Sequence, residues 1–350
     1  SYPQLYRWML HPNLRSDVNG EYMRADFRIH RTRSRQYTSF SNWDTYRTQI
    51  QLLAMLFPDV ASDVVLSHRD FAEQSGGAFP RWVMANIETG VMQGDPTPIL
   101  VANAWAFGAR DYDPYPLFQI MRVNAEKPGA RSQQVEERPG LRQYLDKGYW
   151  NASEQLEYTS ADFAIGPFAL HAVGDEFASW RYFHFARSWR NLYNPETGWL
   201  QSRNADGSWK PLGDDWREST YKNYFWMVPY NLGGLIETIG GREAAERRLD
   251  EFFVRLDAGY NDPWFAAGNE PSFHIPWVYN WVGRPDKASE VIRRPLDEQY
   301  SSAVDGLPGN DDLGTMGAWY VFACAGLYPM IPCVGGFTLS TPLFERITFH

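Results

Sequence analysis

The run EQLEYTSADFAIGPFALHAVGDEFASWRYFHFARSWRNL, residues 154–192, sets the character of the chain. It reads as two amphipathic helices, 154–172 and 175–192, joined at Gly174. The same unit recurs on either side. Ile50, Leu53, Ala54, Leu56 and Phe57 repeat at helical spacing until Pro58, and Asp59 opens a helix with Val60, Val64, Val65 and Phe71 on one face. Further helical runs follow at 96–108, 116–124, 219–239, 243–256, 271–282, 285–300 and 313–327. Alternating strand patterns are almost absent, so about a dozen paired helices predict an all-α toroid and not a doubly wound sheet. Residues 127–141 read as a linker and 194–214 as a long loop.

Bulk properties narrow the function. Of 350 residues, 44% are hydrophobic and 21% charged, which marks a globular chain. A net charge of −9 without a basic cluster argues against nucleic acid. Charges interrupt every apolar run before the ~18 residues a membrane span needs. Aromatics make up 16%, with 15 Trp, enough both to fill a core and to stack on sugars. Cys324 and Cys333 are too few for a zinc site, and Cys324 reads as a buried thiol that Cys333 could reach. No signal peptide stands at Ser1. Residues 2–10 read as mid-chain sequence, and 337–341 and 346–350 as strands cut off mid-sheet, so a longer parent protein is expected.

Three stretches carry chemistry. In Asn269-Glu270-Pro271-Ser272-Phe273-His274-Ile275-Pro276-Trp277-Val278-Tyr279, amides, a carboxylate and an imidazole lie among rings. That mixture suits a sugar or a hard cation, although a capped helix start would use several of the same residues. In Gly309-Asn310-Asp311-Asp312-Leu313-Gly314, adjacent carboxylates open a helix, as an acidic first turn or as a site. In Asp214-Asp215-Trp216-Arg217-Glu218-Ser219-Thr220-Tyr221-Lys222-Asn223-Tyr224, Glu218 is flanked by rings that would favour a protonated general acid. A surface acid paired with Arg217 or Lys222 is the other reading.

Together with Trp43-Asp44-Thr45-x-Arg47 and Gly77-x-x-Pro80-x-Trp82, these motifs occur in the order found in glycoside hydrolase family 92, the calcium-dependent exo-α-mannosidases, which the chain resembles from about Leu5 to Phe344. The resemblance implies an (α/α)6 catalytic domain over 1–335, with 336–350 starting a C-terminal β segment and an N-terminal β-sandwich lying outside this chain. It implies an inverting α-mannosidase acting on mannose-containing oligosaccharides such as mannans or N-glycans. Glu218 would be the general acid and Asp312 the general base, with Asp311 or Asn310 in support. Trp43, Asp44, Arg47, Trp82 and His274 would hold the sugar. Calcium would sit on Glu270, Asn269 and Asn223, the last standing where the family has Gln. A mannosyl-phosphodiester hydrolase and a non-catalytic mannan-binding module are the alternatives. The substrate class implies a secreted, periplasmic or cell-surface protein.

Overall fold

The computed structural model describes residues 2–349. Its spine is the expected hairpin. Helix Ala152–Phe168 continues through a wide turn, Ala169–Val173, to Gly174, whose φ of +82° is the left-handed stop that glycine adopts without strain. Asp175 then caps the returning helix Glu176–Ala186 by accepting from the Ala178 amide at 2.9 Å. Ala152–Phe168 is buried over nearly its whole length, so other helices cover it on every side. Pro96–Ala106 and Pro114–Glu126 pack against it. Gln49–Leu56 and Pro58–Gln74 form a second pair, and Pro285–Glu298 packs against Thr315–Ala325 further along the chain. One continuous apolar cluster joins these helices, with Trp8, Trp43, Trp189, Trp226, Trp277 and Trp319 all fully buried.

Two buried ion-pair systems fix the spine laterally. Arg138 reaches Asp95 at 2.7 Å and Asp162 at 2.9 Å, and Tyr144 donates to Asp162. Arg47 meets Glu157 at 2.9 Å, with the Tyr46 hydroxyl on the other carboxylate oxygen. This second system ties the short helix Asn42–Thr45 to the spine and so holds the wall that carries Trp43 and Asp44.

The described residues also contain strands that the sequence did not announce. All are two or three residues long, in antiparallel sheets of two or three strands, such as Phe40–Ser41 beside Trp82–Met84. Strands this short lack the four or more alternating residues that make a readable pattern. Two long helices of the sequence reading are interrupted. Residues 219–239 divide into Tyr221–Tyr224, the turn Pro229–Asn231 and Leu232–Thr238; residues 271–282 divide into Glu270–Ser272, Ile275–Val278 and Tyr279–Val282. Pro229, Pro271 and Pro276 each start a new turn, where a missing N–H costs nothing. The supposed linker holds the hairpin Arg131–Ser132 with Val135–Glu136. Thr338–Leu339 pairs with Leu327–Tyr328, and Phe337 lies against Phe107 and Phe322, so this end is tied to the helices. Residues 346–349 form no strand. Cys324 and Cys333 are separate buried thiols.

Candidate active site

Several chain segments converge on a cleft of about 580 Å³. Trp43 and Asp44 come from the helix Asn42–Thr45, and Trp82 from the strand beside it. Asn269 and Glu270 come from the turn before Ile275–Val278, Asp312 from the loop before Thr315–Ala325, and Glu218 from the loop before Tyr221–Tyr224. The Glu270 and Asp312 loops meet at two glycines. A Cβ on Gly268 would stand 2.4 Å from the Pro308 carbonyl oxygen, and one on Gly309 would stand 2.4 Å from that of Gly268. Only hydrogens fit in that crossing.

The backbone marks two positions. Glu218 has φ +46° and Asp312 φ +49°, followed by Leu313 at +54°. Left-handed conformations are uncommon for side chains of this size and collect where surrounding structure holds a group in a required place. Asn269 supplies one such hold: its Nδ2 donates to the Glu218 carbonyl at 2.7 Å. Asp311 supplies the other. Its carboxylate accepts from the amides of Gly314 and Gly317, capping the helix and leaving Asp312 to face the cleft.

Asp44, Glu270 and Asp312 each bring an oxygen within 4.8 Å of the others. Asp44 and Glu270 are buried, and Asp44 Oδ2 and Glu270 Oε1 have no hydrogen-bond partner among the described residues. Burial and the neighbouring Asp312 hold the Asp44 carboxyl well above the usual range. Burial, Asp44 and Asp312 do the same to Glu270. Asp312 is pushed up to about 6 by burial; a hydrogen bond to Glu270 opposes this, and the charges of Asp311 and Glu218 add to it. Three crowded carboxyls of this kind must share protons or bind a cation. Hard oxygens, close spacing and orphaned lone pairs fit a divalent ion, so the triad can hold a metal.

The structure rearranges other expectations. Asn223 lies outside the cleft: its Oδ1 accepts from Thr220 and its Nδ2 donates to the Trp264 carbonyl. Arg47 and His274 line a separate small interior cavity. The Arg47 guanidinium, already paired with Glu157, lies 4.6 Å from the Trp43 ring and braces it from behind. His274 bonds the Trp226 carbonyl through Nε2, and burial pulls its pKa down to about 4, so it is neutral. The rings near Glu218 pack against other rings. Trp216 tilts against Tyr224 and Tyr221 meets Trp199 edge-on, while Glu218 itself is exposed at the cleft mouth. Tyr260 also lines the cleft, from a loop with no motif to announce it.

A family-wide sequence profile, the glycosyl hydrolase family 92 catalytic domain, matches residues 1–350. The chain belongs to glycoside hydrolase family 92. Two of the family's solved structures superpose closely. A family GH92 α-mannosidase of Bacteroides thetaiotaomicron in complex with mannoimidazole aligns with TM-score 0.91 and 28% identity, over 99% of this chain and 49% of its own. A GH92 inverting mannosidase of the same organism aligns with TM-score 0.89 and 29% identity, over 100% and 51%. A secreted glycosidase of Arthroderma benhamiae is 27% identical over 259 residues, 61% of this chain and 32% of its own length. The chain thus spans about a third of that curated relative and about half of the two family GH92 enzymes. No described helix is long and apolar enough to cross a membrane.

Proposed function

We propose that this chain is the catalytic part of a secreted, calcium-dependent exo-α-mannosidase that hydrolyses with inversion. We read its helices as an (α/α)6 toroid over residues 1–335, completed by a β-sandwich domain outside this chain. One observation carries the reading. Glu218 and Asp312, both on left-handed backbone, line one cleft, and the charge of Glu218 reaches Asp312, with a cation-ready acid cluster on one wall.

Inversion asks for an acid on the leaving oxygen and a base on a water across the ring, ~6.5–9.5 Å apart. Glu218, exposed at the mouth and clamped by Asn269, donates its proton to the glycosidic oxygen. Asp312 accepts the proton of the attacking water at the buried end. Asp44 and Glu270 orient the terminal sugar's hydroxyls, and Trp43 and Trp82 wall its apolar faces. Asp44, Glu270 and Asp312 would hold a calcium ion, which would supply a Lewis-acidic anchor for the sugar's hydroxyls.

Proton NMR of an α-linked mannobiose digest tests this. β-Mannose should appear first, and early α-mannose overturns inversion. Glu218→Gln should lower turnover on this poor leaving group by about 10²–10⁴-fold. Asp312→Asn should lower it at least as far. Near-native turnover in either variant removes that residue's role.

A further inference from the structure

Beyond Glu218 the cleft opens into a second groove of about 410 Å³, a size that accepts a ligand. Glu218 and Tyr260 line both spaces, so the proposed acid stands at the junction. The groove is built in advance. Lys210 bonds Asn151 Oδ1 and Asp215 Oδ2, both at 2.9 Å, and fixes one wall to the start of helix Ala152–Phe168. Trp216 is anchored by its Nε1 on the Leu212 carbonyl. By contrast, the Arg217 guanidinium, the Asn261 amide and the Tyr260 hydroxyl make no hydrogen bond or ion pair among the described residues. Rigid walls, a half-exposed indole and unspent donors suit a neutral saccharide: rings meet C–H faces, and donors meet hydroxyls.

We propose that this groove binds the leaving group and is long enough for sugars beyond the one next to the scissile bond. Tyr260 is its platform at the junction, and Arg217 and Asn261 are its hydroxyl contacts. The favoured substrate is then a terminal mannose on an oligosaccharide of three or more units, not a disaccharide. This rests on the glycosidase reading above, because Glu218 defines which side of the cleft receives the leaving group.

The test is kcat/KM of the complete protein on α-mannosyl fluoride and on mannosides whose leaving group has one, two or three sugars. With native protein kcat/KM should rise about tenfold or more with leaving-group length, the equivalent of one or two added hydrogen bonds or stacks. In Arg217→Ala, Asn261→Ala and Tyr260→Ala the ratio of tetrasaccharide to fluoride rates should fall about tenfold, with Tm unchanged. A native enzyme indifferent to length overturns the subsite while leaving the glycosidase reading intact. Equal losses on fluoride and tetrasaccharide also overturn it. A native enzyme inert toward the fluoride as well overturns the glycosidase reading, and this one with it.

Discussion

Glu218 depends on Asn269 in a way that only the three-dimensional arrangement reveals. An exposed carboxyl on left-handed backbone is easily misplaced, and the 2.7 Å bond from Asn269 Nδ2 to its carbonyl is the hydrogen bond that links its backbone to the Glu270 turn. Asn269→Ala should therefore act through the acid. We expect kcat on mannobiose to fall about 10–100-fold, with a clearly smaller fall on α-mannosyl fluoride, whose leaving group needs less proton donation. Equal losses on both substrates would mean that Asn269 serves the sugar-binding wall instead. At this scale residue type was legible and direction was not. Trp43, Asp44, Trp82, Glu218, Asn269, Glu270 and Asp312 stood out as polar or aromatic residues in connections, and all reach the cleft. Arg47 and His274 look equally chemical on paper. Yet Arg47 follows Asp44 by three positions, where the turn of Asn42–Thr45 sends it inward to Glu157, and His274 points at the Trp226 carbonyl. Tyr260 carries no flanking signal at all.

The acid triad draws one residue from each of three elements that are far apart in sequence: the helix Asn42–Thr45, the turn Glu270–Ser272 and the loop before Thr315–Ala325. Left without a cation, these carboxyls must hold protons that they would otherwise release. A cation that binds the folded arrangement alone stabilises it by about 2.7 kcal/mol at a hundred times its Kd. Chelation should thus lower Tm by several degrees, and calcium should restore it. Asp44→Asn should blunt the response, and an identical Tm with and without chelator would argue against any ion on the triad. Helix pairing was legible because its period repeats over long runs. The breaks at Pro229 and Pro276 were harder to place, because a proline in the first turn of a helix and one that divides a helix look alike until the partner packing is known. The two-residue strands left no period to read.

Across the molecule, buried charges are mostly matched. Arg47 has Glu157, and Arg138 has Asp95 and Asp162. Away from the cleft, Glu137 is poorly matched. It is 1% exposed, its Oε1 has no partner among the described residues, and Arg81 Nη1 stands 3.9 Å from its other oxygen. Burial first, and then the charge of Glu88, hold its carboxyl well above the usual range, with Arg81 pulling the other way. The folded state therefore prefers Glu137 protonated. Its contribution to stability is complete below the ordinary carboxyl pKa of about 4 and is lost as pH rises through the raised folded value. A neutral amide of the same shape avoids that loss. Glu137→Gln should match the native protein's Tm near pH 4 and exceed it progressively toward pH 8. At about 2–4 °C per kcal/mol, the gain at pH 8 should be a few degrees. A Tm that falls at pH 8 would mean that pairing with Arg81 outweighs burial, and Glu137 would then join the matched charges. The location matters for catalysis. Arg81 and Glu88 adjoin Trp82 through its backbone amide, so a charge change at Glu137 lies one layer behind a wall of the cleft. The stabilised variant should keep its native kcat on mannobiose, because nothing at Glu137 reaches the cleft itself.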